Sequence, residues 1–198
     1  MSVVPIHQPH LGYAGLLMRA VDFFALGETR ERYELVNGVV VMSPSVRPRH
    51  WMVVHEVLKQ LDAFNAPLKK LDIFAEIDLH LDQVTVFRPD LCVYCRVENT
   101  PPSPIPERLV APPSLILEVL SPGSKPLDLV TKRDAYERFQ VPEYWTIDPD
   151  DGRVRAWSTQ GGGDGIYMET PIIGDQLEST AIPGFRLDLH PIRIIGST

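Results

Sequence analysis

The order of apolar and polar positions in the first third of the chain predicts a short helix, a hairpin and a longer helix. Two apolar runs, Tyr33–Val36 and Val39–Met42, flank the dipeptide Asn37-Gly38. Because Asn-Gly supplies the positive φ angles of a type I′ turn, these runs predict a β-hairpin. Apolar residues recur at helical spacing over residues 50–64, which predicts an amphipathic helix, and residues 16–26 predict a short packing helix.

The middle of the chain alternates predicted strands with one predicted helix. Residues 73–81 and 85–94 predict an antiparallel pair of strands. Residues 114–120 form a continuous apolar run, typical of a strand that is buried on both faces. A helix over residues 126–139 and a strand over residues 143–147 complete a strand-helix-strand unit. Such a unit predicts two parallel strands with a right-handed crossover, and the sheet should therefore be mixed.

Loops and a final hairpin complete the outline. The segment 98–113 contains six prolines, which exclude a central strand or a helix interior and predict an extended surface loop. Residues 153–158 and 166–169 predict a last hairpin around a glycine-rich turn, followed by a less regular tail.

The composition supports one globular domain. The chain has 198 residues and a hydrophobic content of 44%, enough for a sizeable core. We divide it into an N-terminal helix and lead-in, residues 1–32, and a main domain, residues 33–198. The formal net charge of −7 gives the whole molecule no electrostatic signature of nucleic-acid binding, so a polyanion would need a local basic patch. No apolar run reaches about 20 residues, the length that spans a membrane, and we expect a soluble cytoplasmic protein.

The two cysteines, Cys92 and Cys95, have the spacing of a CxxC motif but lie in a predicted strand. An offset of three residues points their side chains to opposite faces of that strand. We therefore expect two reduced, buried thiols and no zinc site, since no second cysteine pair is present.

Two carboxylates interrupt predicted apolar strands. Asp90 follows Pro89 late in the strand 85–94, and Glu118 stands within the run 115–120. Burying an unpaired carboxylate costs several kcal/mol or raises its pKa until it is neutral, so the pair suggests a shared divalent cation. Taken singly, the Pro-Asp step is also common turn chemistry, and Glu118 would also fit an edge strand.

Three polar residues share one face of the helix predicted after Glu118. Asp128, Lys132 and Tyr136 stand at positions i, i+4 and i+8. A solvated Asp-Lys ion pair is one interpretation. A lysine that orients a nucleophilic water beside metal-bound carboxylates is the other, and the spacing alone does not choose between them.

An ordered set of motifs from Tyr33 to Asp148 resembles the Uma2 family, which is assigned to the PD-(D/E)XK superfamily of restriction-endonuclease-like nucleases. The set comprises Tyr33-Glu34-Leu35-Val36-Asn37-Gly38, His50 at the start of a helix, Arg88-Pro89-Asp90, Leu117-Glu118-Val119-Leu120-Ser121-Pro122, the Asp128, Lys132 and Tyr136 helix, and Val141-Pro142-Glu143-Tyr144-Trp145. The resemblance implies an α/β restriction-endonuclease-like fold, with a mixed central β-sheet flanked by helices and an N-terminal hairpin.

The resemblance also implies a metal site. Asp90 and Glu118 match the two acids that hold Mg²⁺ or Mn²⁺ in such nucleases. The chain departs from the superfamily pattern at Leu120, which stands where the strand lysine is expected. Lys132 matches the lysine of the Uma2 pattern and would reach the site from the helix, with Lys125 as the second candidate.

Two further residues match the family pattern. Glu34 lies in the Tyr-Glu-Leu element and would add a carboxylate to the catalytic site, although a solvent-facing hairpin side chain fits the sequence equally well. His50 is a secondary catalytic candidate, and a structural hydrogen-bonding role is its alternative.

The resemblance implies a metal-dependent endonuclease that hydrolyses phosphodiester bonds in DNA and acts as a homodimer. A catalytically inactive protein that keeps the nuclease fold for nucleic-acid binding or assembly is the main alternative. A metal-dependent hydrolase of a smaller phosphate ester is a third.

Overall fold

The computed structural model describes residues 12–96, 107–160 and 163–197. Residues 1–11 of the predicted lead-in, most of the predicted proline-rich loop and the glycines 161–162 of the last predicted hairpin lie outside this description. In the described part of the chain, no helix is both long enough and apolar enough to cross a bilayer.

The N-terminal elements surround a hairpin. Helix α1 (Ala20–Ala25) is followed by β1 (Tyr33–Val36), β2 (Val39–Met42) and the long helix α2 (Pro48–Leu68). Asn37 and Gly38 have φ angles of 49° and 83°, which confirms the predicted turn and the hairpin. The short helix is four residues shorter at its start than predicted, because Leu17 forms an extended bridge with Val39.

The prediction of two continuous strands over residues 73–81 and 85–94 is wrong, because each segment divides between two sheets. The observed strands are β3 (Leu71–Ala75), β4 (Leu79–Asp82), β5 (Thr85–Phe87) and β6 (Leu91–Cys95). β3 pairs with β6 in one sheet and β4 pairs with β5 in another. Glu76 marks the first break with a φ angle of 55°, and Pro89, which has no N–H for a ladder, lies at the second.

The strand-helix-strand unit is present and its strands are parallel, as predicted. Strand β7 (Leu115–Val119) leads into a π-helical turn (Leu127–Lys132), which continues as helix α3 (Arg133–Arg138) and ends before β8 (Glu143–Ile147). Strands β9 (Val154–Ser158) and β10 (Met168–Glu169) form the predicted last hairpin. A π turn accommodates an extra residue within a helix and is often found at functional sites.

The C-terminal tail is more regular than predicted. It forms β11 (Gln176–Glu178), β12 (Arg186–Asp188) and helix α4 (His190–Ser197). Glu143 of β8 anchors the connection between β11 and β12, because its buried carboxylate accepts hydrogen bonds from Ser179 Oγ at 2.5 Å and from the backbone N–H groups of Thr180 and Ala181, both at 3.1 Å.

The central sheet has six strands in the order β10-β9-β8-β7-β6-β3, and a second sheet has the order β2-β1-β5-β4. One face of the central sheet packs against α2 and α4 and forms the first core cluster. The other face packs against α3 and part of the second sheet and forms the second core cluster. Cys95 belongs to the first cluster and Cys92 to the second, so the two free thiols lie on opposite faces, as predicted. The expectation that both are buried is wrong for Cys95, which is partly exposed. The result is the mixed α/β architecture that the sequence predicted.

Candidate active site

The pairing of β6 with β7 brings Asp90 and Glu118 to the same place in the fold. These strands are antiparallel, with Leu91 opposite Leu117. Continuing this register by one residue places Asp90 opposite Glu118, and directly opposed residues project from the same face of a sheet. In agreement, Asp90 Oδ2 accepts a 2.6 Å hydrogen bond from the backbone N–H of Val119.

Glu118 is buried and contacts two side chains of the crossover segment. Lys132 Nζ donates to Glu118 Oε1 at 2.9 Å, and the Tyr136 hydroxyl donates to the same oxygen at 3.0 Å. Asp128 Oδ1 lies 3.4 Å from Lys132 Nζ. Because the Lys132 and Asp128 side chains are only 4% and 3% exposed, the interpretation of this pair as a solvated ion pair is wrong.

Glu34 joins this group from the N-terminal hairpin. Its Oε1 lies 2.9 Å from Lys132 Nζ and accepts a 2.7 Å hydrogen bond from the backbone N–H of Arg88. Its other oxygen, Oε2, accepts a 3.3 Å hydrogen bond from Ser43 Oγ. The Glu34 side chain is 5% exposed, so it does not face solvent.

The carboxylates Glu34, Asp90, Glu118 and Asp128, together with Lys132, form what we call the acidic cluster. Burial raises the pKa of Glu118 well above its usual range, although the Lys132 ammonium opposes the shift. Burial alone would lower the pKa of Lys132, but the charges of Glu118, Glu34 and Asp128 outweigh it and raise that pKa well above its usual value. Lys132 therefore stays protonated, and the acidic cluster contains one ammonium and four carboxyl groups.

His50, in the first turn of α2, contacts the acidic cluster through Asp90. Its Nε2 lies 3.2 Å from Asp90 Oδ2. Burial by itself lowers the pKa of His50, but the hydrogen bond and the charge of Asp90 outweigh this effect, so the net pKa is raised. The other ring nitrogen, Nδ1, is buried and has no hydrogen-bond partner among the described residues.

Lys125 does not join this group. Its Nζ lies 2.6 Å from Asp148 Oδ2, and its side chain is 37% exposed. Leu120, at the position of the superfamily's strand lysine, is buried. Of the two candidate lysines, Lys132 is the one that the structure brings to the acids.

The acidic cluster and His50 line a cavity of about 170 Å³. Two arginines that sequence reasoning missed, Arg32 and Arg88, also line it. Arg32 Nη2 lies 2.7 Å from Glu76 Oε2, and Arg88 Nε donates to Asp78 Oδ1 at 2.7 Å. Their position was a signal, because Arg88 belongs to the motif Arg88-Pro89-Asp90 and Arg32 directly precedes Tyr33-Glu34.

The donor set fits a magnesium-type site with few protein ligands. Within residues 12–96, 107–160 and 163–197, no three His, Cys, Asp or Glu side chains are arranged so that they could hold a metal ion between them. Mg²⁺, however, is commonly bound by one or two carboxylates and completes its shell with water and substrate phosphates. The described hydrogen bonds engage Oδ2 of Asp90 and Oε1 of Glu118, and the second oxygen of each has no hydrogen bond to a described residue.

Comparison with solved structures places this fold in a known class. A crystal structure described as a putative nuclease belonging to DUF820, from Anabaena variabilis ATCC 29413, matches with a TM-score of 0.74 and 17% sequence identity. The match covers 90% of this chain and 98% of that chain. The protein therefore has a nuclease-like fold. No curated protein matches the sequence.

Residues 20–190 match the Uma2 family, whose description is "Putative restriction endonuclease". The match covers most of the chain, and the chain therefore belongs to the Uma2 family, as its motifs predicted. Family and fold together support a nuclease.

Proposed function

We propose that this protein is a metal-dependent nuclease that hydrolyses phosphodiester bonds in DNA, with Asp90 and Glu118 as the ligands of Mg²⁺ or Mn²⁺. The observation that supports this proposal most directly is the excess of negative charge in the acidic cluster. The cluster contains four buried carboxyl groups and one ammonium, which contacts three of them, and burying unpaired carboxylates is costly. A divalent cation would balance this charge and keep Glu118 ionised.

The residues of the cavity have different roles in this proposal. A bound divalent ion lowers the pKa of its water and polarises a phosphoryl oxygen. Asp90 is held in place by the N–H of Val119 and by His50. Tyr136 holds Glu118 from the side of the crossover helix. Glu34 contacts Lys132 Nζ at 2.9 Å and positions its ammonium rather than the metal.

Lys132 acts as a donor and not as a base, because its raised pKa keeps it protonated. An ammonium that faces the cavity can hold a nucleophilic water or offset the charge that develops on a phosphate in the transition state. For this role it must release one of its three carboxylate partners when substrate and metal are bound.

The same contacts favour the alternative function of a nuclease-fold protein that binds nucleic acid without cutting it. The three donors of the Lys132 ammonium have three carboxylate partners, Glu34, Glu118 and Asp128. An ammonium that stays in this arrangement is held by three carboxylates and is less free to bind a water or a phosphate.

Cleavage of plasmid DNA by purified protein, with and without Mg²⁺ or Mn²⁺, tests the proposal. We expect metal-dependent cleavage by the wild type and its loss in Asp90→Asn, Glu118→Gln and Lys132→Met. Asp148→Asn is a matched control, because Asp148 and Asp90 are both 9% exposed and only Asp90 lines the cavity. A wild type that leaves DNA intact with either metal contradicts the proposal, as does full activity in Asp90→Asn.

A homodimer is part of this proposal, since a duplex presents two strands to two sites. Sedimentation equilibrium of the purified protein measures it directly, and a monomer at all concentrations contradicts it.

A further inference from the structure

A second cavity lies next to the first at the start of α2. It has a volume of about 380 Å³, and its lining includes Arg47, Arg49, Asp150 and, shared with the first cavity, His50 and Ser121. A ligand that extends out of the catalytic cavity past His50 would therefore enter this second cavity.

The two arginines of this lining have no side-chain partners in the part of the chain that the structure describes. Neither Arg47 nor Arg49 forms an ion pair, a hydrogen bond through its guanidinium or an aromatic contact with any described residue. Arg32 and Arg88 at the first cavity are both ion-paired. Asp150 is the acidic residue of the second lining, and no ion pair joins it to either arginine.

The position of these arginines is unfavourable for the helix itself. Arg47 is the N-cap residue of α2 and makes no side-chain capping hydrogen bond, and the first turn contains no acidic residue. Asp, Asn, Ser or Thr would normally satisfy the free N–H groups there, and the helix dipole disfavours positive charge at this end. Two unpaired cations at an uncapped helix start, lining a cavity, are the arrangement expected where an anion binds.

His50 supplies a third group at the same place. It is 8% exposed, its Nε2 faces Asp90, and its Nδ1 is buried without a hydrogen-bond partner among the described residues. His50 thus lines both cavities and contacts the acidic cluster with one nitrogen, while the other stays without a hydrogen bond to any described residue.

We propose that the second cavity binds a backbone phosphate of the DNA strand next to the phosphate that is cleaved, with Arg47 and Arg49 as its charged contacts. This inference rests on the proposed function, since it assigns the strand's path out of the catalytic cavity. It also resolves the electrostatic problem of an acidic protein that must bind a polyanion, because the local basic patch lies beside the acidic cluster. Bidentate guanidinium contacts suit a phosphodiester well.

The test uses charge reversal at both ends of the same helix. Arg47→Asp and Arg49→Glu, singly and together, are compared with Lys69→Glu, which makes the same change in net charge as each single variant. Lys69 is the C-cap residue of α2, is exposed and has no ion pair in the described part of the chain. The 21 residues of α2 separate the two ends by about 30 Å.

The readouts are anisotropy of a fluorescein-labelled duplex over a range of salt concentrations in EDTA, and the Tm of each variant. We expect each arginine substitution to weaken binding about tenfold or more and to reduce the magnitude of the negative slope of log K against log salt by about 1. Arg47→Asp should also raise the Tm by about 2 to 4 °C, because it adds a good N-cap. Lys69→Glu should leave binding and salt slope close to those of the wild type.

If these arginines had a purely structural role, no variant would combine a higher Tm with weaker DNA binding. The inference is overturned if the double variant binds DNA like the wild type, if Lys69→Glu weakens binding equally, if Arg47→Asp lowers the Tm, or if the wild type binds no DNA. Wild-type protein that binds but never cleaves, with binding still lost in the arginine variants, would refute the nuclease proposal and support the phosphate site.

Discussion

Replacing Lys132 by methionine is the most informative single perturbation of the acidic cluster. Methionine has a similar length and no charge, so the substitution removes the ammonium and leaves the packing volume nearly intact. Glu34 and Glu118 each lose a partner at 2.9 Å, and Asp128 loses one at 3.4 Å. All four side chains are 3 to 5% exposed, so solvent does not screen the loss.

The expected cost follows from this burial. Removing one partner of a buried ion pair typically costs about 3 to 5 kcal/mol, because the other charge stays buried. For a domain of this size, 1 kcal/mol corresponds to about 2 to 4 °C in Tm, so Lys132→Met should lower the Tm by about 6 to 20 °C. The double variant Lys132→Met/Glu118→Gln should recover part of this loss, since it also removes a stranded charge.

Thermal unfolding followed by circular dichroism at neutral pH measures these values, with Lys125→Met as the control. The Lys125 side chain is 37% exposed in its pair with Asp148, so its loss should cost at most about 1 kcal/mol. A Tm of Lys132→Met within about 4 °C of the wild type, or a double variant less stable than the single one, would refute the argument that this ammonium balances the buried carboxylates.

Two further substitutions or modifications test other parts of the structure. Gly38→Ala should lower the Tm by about 2 to 8 °C, because an L-residue at this left-handed φ of 83° costs about 1 to 2 kcal/mol. The added Cβ would lie 3.6 Å from Met18 O, an ordinary contact, so steric clash does not contribute. An unchanged Tm would therefore contradict the conformational cost. Cys92 should resist iodoacetamide at pH 8 in the native protein and react after unfolding, because burial raises the pKa of its thiol and the residue is 1% exposed. Mass spectrometry measures the alkylation. If native Cys92 reacts as fast as in the unfolded protein, the thiol is accessible to solvent and the prediction is wrong.

Local sequence signals predicted the elements whose structure is set locally. The Asn37-Gly38 turn, the apolar face of α2 and the continuous run of β7 each carry one dominant signal, and all three are present. The parallel pairing of β7 and β8 also followed, since a helix between two strands leaves few other connections.

The division of the long predicted strands could not be predicted in this way. A period of two specifies which face a side chain occupies but not which sheet the strand joins, and a non-glycine residue such as Glu76 gives no warning of a positive φ. The regular C-terminal tail was missed for a similar reason, because its anchor, Glu143, lies in a strand more than thirty residues away from Ser179.

For the candidate site, the motifs predicted which residues would come together but not how they would pair. Asp90, Glu118, Glu34, Lys132 and His50 all line one cavity. The burial of Asp128 and the contact of His50 with Asp90 depend on how the crossover segment and α2 pack against the sheet end, and spacing along the chain does not encode that packing.

The π-helical turn has a consequence for how this protein family can vary. Lys132 belongs to the π-helical turn of the crossover, whereas Asp90 and Glu118 lie at the ends of β6 and β7. A change in the length of the turn can therefore move the ammonium without moving these two carboxylates. Loss of one residue between 127 and 132 would restore ordinary helical winding and rotate the ammonium away, while β6 and β7 would keep their register. A homologue with such a deletion would retain both carboxylates and lose the amine, so under the proposed function it should lack cleavage activity.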